Sequence, residues 1–301
     1  KTLSGKTVAA YVNAHTDLSD DLYRDGKLVS DNYKNILRAQ TNASAIPAEV
    51  TVRYGVTVRR TNIRNLPTGE GLFFYASDRN FDALQETALD PGEAVAILHT
   101  STNGYFYYVQ AYNYRGWLSK FDVAETDRAT WSRYAAPKNF LTVIARDYTL
   151  KADGAQVLFQ QGSRLQLADK KAASYTVKVP VRTKEGKLQE EKVILAANSS
   201  LHEGYLPYTT NNIIRSAFKF YDAVYGWGGL QNSVDCSSFI SNAYRTVGIF
   251  LPRNADEQET SAGIHKKMGN MSSAQRANVV KSLTPGSTLH MDGHVMLYLG
   301  S

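Results

Sequence analysis

Along the chain, the spacing of apolar positions changes character from one stretch to the next. Over residues 1–48, Leu22, Leu28, Tyr33, Ile36 and Leu37 show mixed helical spacing that runs up to the turn signal Ala45-Ile46-Pro47, so this stretch reads as a short helical segment. From Val50 the pattern shifts to short β-rich runs, Val50–Tyr54, Ala94–Leu98 and Tyr105–Val109, separated by turns containing Gly and Pro. Such runs predict a small barrel or sandwich over 49–125. A polar, helical connection around Thr126 to Pro137 leads into a second β-rich stretch, with runs at Phe140, Val157–Phe159, Tyr175–Val179 and Val193–Leu195. It predicts a second small barrel over 126–203, with no clear sequence repeat relating the two.

After Gly204-Tyr-Leu-Pro207 the period becomes helical again. Ile213, Ile214, Ala217, Phe218 and Tyr221 fall on one stripe, predicting a helix of roughly a dozen residues. It ends at Tyr225-Gly-Trp-Gly-Gly229, whose glycines permit backbone conformations that a helix cannot continue through. Beyond this turn, Phe239, Ile240, Ala243, Tyr244 and Val247 share the face of a further helix. Val295–Leu299 is an uninterrupted apolar run that predicts a buried strand. The whole reads as α+β.

Composition narrows the possibilities. The chain has 301 residues, 43% of them hydrophobic and 21% charged, which is ordinary for a globular protein of two or three domains and excludes disorder. The net charge of +6 would draw an anionic partner weakly and in a salt-dependent way. Basic residues are nevertheless spread along the sequence with no run of five or six, so no nucleic acid partner is expected. No run of about 18 apolar residues is present, so no membrane span is expected. No charged-then-apolar signal segment follows Lys1, although a removed signal would leave the same sequence. No P-loop, dinucleotide fingerprint or paired metal ligands appear, so neither cofactor nor metal is expected.

The single cysteine excludes an intramolecular disulfide framework and a CxxC metal site, which leaves Cys236 as an inert core thiol or a reactive one. The predicted helix start at Asp235-Cys236 favours the reactive reading. Unpaired backbone N–H groups and the positive end of the helix dipole stabilise a thiolate there. A thiolate nucleophile needs an imidazole to hold the ion pair and to protonate the leaving amine. Of the six histidines, His15, His99, His202 and His265 lie in the lead-in, the first barrel, a loop and a polar Lys-rich segment. His290 and His294 flank Met291-Asp-Gly293 at the mouth of the apolar run, and His294 is the better placed; capping the strand is its alternative role.

Four motifs then fall in order and spacing: Tyr225-Gly-Trp-Gly-Gly229, Asp235-Cys-Ser-Ser-Phe239, Leu251-Pro-Arg-Asn-Ala-Asp-Glu-Gln258 and Gly293-His-Val-Met-Leu-Tyr-Leu-Gly300. Residues 204–301 thereby resemble the papain-like cell-wall cysteine peptidases of the NlpC type. The two stretches upstream look like bacterial SH3-like domains. The resemblance implies hydrolysis of the γ-D-glutamyl to diamino-acid bond in peptidoglycan stem peptides, with Cys236 as nucleophile and His294 as base. Asp235 would bind the free amine of an N-terminal L-Ala, while helix capping explains the same residue equally well. Ser237 is similar to a position that contacts substrate, or it satisfies the first helical turn. Tyr225 and Trp227 would line the cleft or pack against the helix, and Arg253 would pair with Asp256 or with a substrate carboxylate. Tyr114, in Tyr114-Arg-Gly-Trp117, resembles an aromatic of the first SH3-like domain that reaches the cleft in relatives.

The family's third polar residue, which orients the imidazole, normally lies on the strand after the histidine. This sequence stops at Ser301, so either a longer form supplies that residue or the orienter comes from elsewhere in the chain. The resemblance implies a monomer acting on peptidoglycan in the cell envelope, periplasmic or secreted. The competing function is a wall-binding SH3-like module joined to an inactive or truncated peptidase domain.

Overall fold

The computed structural model describes residues 1–14, 17–261 and 263–300. Strand Thr2–Ser4 pairs antiparallel with Glu49–Thr51, and helix Gly5–Asn13 lays Val8 and Val12 on Leu98, Tyr108 and Trp117. The start of the chain is thus tied to the sheet that follows it. Helix Asp31–Gln40 begins where the Ser30 hydroxyl accepts the Tyr33 N–H at 3.3 Å. The helical reading of this stretch needs correction at Leu22 and Leu28. Both precede the helix, and Leu28 lies in the hairpin Tyr23–Arg24/Lys27–Leu28 with 58% of its surface exposed.

The β-rich pattern from Val50 becomes a seven-stranded antiparallel sheet. Its order is Val123–Thr126, Arg53–Thr57, Ala94–Thr100, Phe106–Gln110, Arg115–Ser119, Thr61–Arg64 and Gln85–Leu89. Alternation along these strands turns Ile63, Val95, Ile97, Val109 and Leu118 into one core. Helix Arg128–Ala135, capped by Asp127, leads to a five-stranded antiparallel sheet ordered Leu188–Ala196, Ser174–Arg182, Arg164–Lys171, Phe140–Val143 and Leu201–Glu203. The hairpin Asp147–Ala152/Ala155–Gln160 adds Leu150, Val157 and Phe159 to its core. His202, expected in a loop, lies on the last of these strands.

The final third is mainly helical. Helix Thr210–Ala217 is shorter than its apolar stripe predicts. The stripe fails beyond Ala217 because the backbone tightens into a single 3-10 turn over Phe218–Phe220, leaving Phe218 outside the core and Tyr221 86% exposed. Helix Cys236–Arg245 buries Ile240 and Ala243, as its spacing predicts, and helices Ala255–Glu259 and Ser273–Lys281 follow. The apolar run near the end is a hairpin, Thr288–Met291 with His294–Leu297. It is not buried on both faces: Val295 is 2% exposed, but Met296 is 40% exposed. One face of the hairpin rests on the Cys236 helix, so its residues alternate.

Buried polar contacts bring all three regions together around that helix. Arg245, at its last turn, reaches Glu93 Oε1 of the first sheet region at 2.7 Å. Asn242 Nδ2 donates to Gln160 Oε1 of the second at 2.9 Å. Among the described residues, no helix is long and apolar enough to cross a membrane.

Candidate active site

Cys236 is the first residue of its helix and is half-buried, in contact with a small core of Ile240, Ala255 and Val295. Its own side chain does no capping. Asp235 supplies the cap through Oδ1, which accepts the Ser238 N–H at 2.9 Å, while the Ser238 hydroxyl accepts the Asp235 N–H at 2.9 Å. This reciprocal box fixes the first turn, and so the direction in which the thiol leaves the backbone.

Asp235 is only 6% exposed, and its second oxygen accepts from Arg253 Nη2 at 2.5 Å and from the Gly228 N–H at 3.0 Å. Burial pushes its pKa up, but the Arg253 charge and the hydrogen bonds from Arg253 and Ser238 outweigh that, holding the carboxyl below the usual value. Arg253 is itself buried and spends its guanidinium on Asp235, on Ser237 Oγ at 2.8 Å and on Thr87 Oγ1 of the first sheet at 2.6 Å. Its ion-pair partner is therefore Asp235 and not the Asp256 expected from the sequence. Ser237 is buried too, its hydroxyl shared between Arg253 and Asp235.

Tyr225 pairs by a β-bridge with Val234, which carries its ring to the helix start. Its hydroxyl stands near Cys236. Burial, with Cys236 and the Asp235 carboxylate nearby, pushes its pKa up to about 12, so it stays protonated across the physiological range. Trp227 donates its indole N–H to the Asp82 carbonyl at 3.2 Å, and the Phe81 ring lies 5.6 Å from it and 6.1 Å from Tyr225. Tyr114 donates its hydroxyl to Glu86, and burial beside that carboxylate pushes the phenol pKa upward.

His294 opens the strand whose next residue, Val295, packs on the Cys236 helix. Among the described residues, no side chain or backbone group hydrogen-bonds the His294 ring. The other histidines are engaged elsewhere: His99 Nε2 with the Asn42 carbonyl at 3.0 Å, His202 Nδ1 with the Gly204 carbonyl at 3.3 Å, His265 Nε2 with the Ser261 carbonyl at 2.7 Å, and His290 Nε2 with Thr288 Oγ1 at 3.0 Å. His15 lies outside the described residues. No group of three His, Cys, Asp or Glu residues that could hold a metal ion occurs among the described residues.

Two contributors escape the sequence. Glu86, on strand Gln85–Leu89, meets Tyr114, just before strand Arg115–Ser119, only because these two strands share a sheet, and nothing in its local sequence marks it. Gln258 was within reach, being the last residue of the Leu251–Gln258 motif. Its Nε2 faces the Ser237 carbonyl, Ser241 Oγ and the Pro252 carbonyl at 2.9 to 3.0 Å, pinning the short helix Ala255–Glu259 to the nucleophile's turn.

Residues 222–301 match the NlpC/P60 family, and residues 72–119 match the SH3 domain of SH3b1 type. Among solved structures, an NlpC/P60 endopeptidase of Photobacterium damselae subsp. piscicida superposes with a TM-score of 0.79 at 22% identity, over 98% of this chain and 68% of that one. An NlpC/P60 family protein of Bacillus cereus gives a TM-score of 0.58 at 15% identity, over 82% of this chain and 88% of that one. At these identities the likeness is one of fold. No curated protein sequence matches the chain. The chain therefore carries an SH3b1-type domain and, over its C-terminal portion, a domain of the NlpC/P60 family.

Proposed function

We propose that the protein is a cysteine endopeptidase of the cell envelope that cuts peptidoglycan stem peptides between γ-D-glutamate and the diamino acid. The observation that carries this is the setting of Cys236: first residue of a helix closed by a capping box, with Tyr225 bridged to Val234 just before it and the His294 strand packed on the same helix. We assign the domains as a helical lead-in over 1–48, SH3-like barrels over 49–125 and 126–203, and the peptidase over 204–301.

In this reading the Cys236 thiolate attacks the γ-carbonyl carbon, forming a C–S bond and moving the carbonyl π electrons to oxygen. The Cys236 N–H and the Tyr225 hydroxyl, which stays protonated, donate to that oxyanion. The His294 imidazolium gives its proton to the leaving amine as the C–N bond breaks, leaving a thioester. Water, deprotonated by His294, then attacks the thioester; the C–S bond breaks and the γ-carboxylate leaves.

The tripeptide L-Ala-γ-D-Glu-meso-diaminopimelate tests reaction and specificity together. Mass spectrometry should show L-Ala-γ-D-Glu and free diaminopimelate, and an intact tripeptide would remove the proposal. We assign the free L-Ala amine to Asp235, with Glu86 as a second, more open carboxylate on the facing sheet, beside Tyr114. N-acetylating that amine should lower kcat/KM by about 10- to 150-fold, the worth of one charge-assisted hydrogen bond. Equal turnover of free and acetylated peptide would leave Asp235 as a helix cap only.

A further inference from the structure

The turn between Tyr225 and Asp235 is held at three consecutive residues by the first sheet and the loops beside it. The Trp227 indole donates to the Asp82 carbonyl at 3.2 Å, the Gly228 carbonyl accepts Gln85 Nε2 at 2.8 Å, and the Gly229 carbonyl accepts Arg60 Nη2 at 3.3 Å. The approach is too close for any side chain. A Cβ on Gly228 would lie 2.6 Å from Gln85 Cγ, and one on Gly229 would lie 2.7 Å from the Ala88 Cβ. Both glycines also have positive φ, 56° and 83°, which the contact and the backbone demand together.

Gln85 is the centre of this contact. It is 3% exposed, and its carboxamide oxygen accepts Arg64 Nη1 at 3.1 Å, in a cluster where Arg64 also pairs with buried Asp82 at 2.8 Å. The amide is thereby oriented with its nitrogen toward Gly228. On its other side, the Gly228 N–H donates to Asp235 Oδ2, and Asp235 caps the helix that Cys236 begins. A continuous chain of hydrogen bonds thus runs Arg64, Gln85, Gly228, Asp235 to the nucleophile's turn. The same turn starts from Tyr225, which bridges to Val234 two residues before Cys236.

We propose that Gln85 is a positioning residue for the cysteine site: by gripping Gly228 it fixes where Asp235 and Tyr225 stand against Cys236, so the SH3-like sheet sets the geometry of the nucleophile. The kinetic part rests on the peptidase reading above; the geometric part does not. A sheet that only tethered the domain would influence how much protein is folded. One that positions the turn changes the rate at each folded site.

Gln85→Met keeps the side-chain length and removes all four amide contacts, to Arg64, Asn62, the Thr87 carbonyl and the Gly228 carbonyl. It should lower kcat on the tripeptide by about 10- to 100-fold per titrated thiol, with KM nearly unchanged, as expected when a reacting group is displaced by a fraction of an ångström to an ångström. Alkylation of Cys236 by iodoacetamide near pH 6 should slow as well, by about fivefold or more, because the thiolate loses the same alignment. Gly228→Ala tests the contact from the other side and serves if Gln85→Met does not fold. It should reproduce both losses. Values of kcat per thiol and alkylation rate within about twofold of wild type for both single variants would overturn the positioning role. Should the wild type leave the tripeptide intact, the peptidase reading falls alone, and the alkylation rates decide on Gln85.

Discussion

Cys236→Ala is expected to reduce cleavage of the tripeptide by about 10⁴-fold or more while leaving the fold intact, because removing a nucleophile that acts in concert with a base forfeits nearly all of the chemistry. The stability side of the prediction comes from where the cap lies. Asp235 and Ser238 close the first turn without help from the thiol, so the substitution breaks no capping bond. The sulfur is half-buried, and deleting it costs on the order of 1 kcal/mol, a shift of about 2–4 °C in Tm. Product mass spectrometry and a thermal melt measure the two effects separately. Retained activity would show that Cys236 is not the nucleophile, and a fall of some 15 °C would make it a core residue first. Iodoacetamide near pH 6 adds an independent reading on the wild type: a thiolate is alkylated quickly, and a buried inert thiol barely reacts.

What could be read from the sequence about this site is what short-range physics determines. The cysteine helix announces itself through Asp235 as its cap and through Ile240 and Ala243 on one face, and these hold in the structure, whereas Val247 of the same predicted face lies beyond the helix end at Arg245. The β-rich runs of 49–125 likewise become strands close to where their alternation places them. The errors have two physical sources. Apolar spacing was extended past the point where another surface exists to cover it, as at Phe218 and Tyr221, and at Met296 on the uncovered face of the last hairpin. Partners from distant elements carry no local signal at all. Arg253 stands three residues before Asp256, yet the fold turns its guanidinium to Asp235 and Thr87. Gln85 and Glu86 are ordinary residues of an ordinary strand until the glycine turn and Tyr114 arrive beside them.

Arg253→Met should be the most destabilising single change at this site, by about 3–5 kcal/mol at neutral pH, since it leaves the Asp235 carboxylate buried without its counter-charge. Both members of the pair are almost wholly enclosed, with side-chain exposures of 6% and 7%, so water cannot replace the lost guanidinium. Ser237 and Thr87 lose a donor at the same time. The pH dependence gives the charge its own signature. In the wild type the folded pKa of Asp235 lies below its unfolded value, so its contribution is complete above the unfolded pKa near 4 and is lost as pH falls through the folded value. Without Arg253, burial dominates and raises the folded pKa, so the variant is penalised most when the carboxyl must be ionised. The stability gap between wild type and Arg253→Met should therefore narrow as pH drops from 7 to below about 4. Urea melts at several pH values measure it. A gap that stays constant would assign the loss to packing of the arginine stem. Adding Asp235→Asn to Arg253→Met removes the orphaned charge and should recover part of the stability at pH 7 but little activity, because the amide still caps the helix while the carboxylate assigned to the substrate amine is gone.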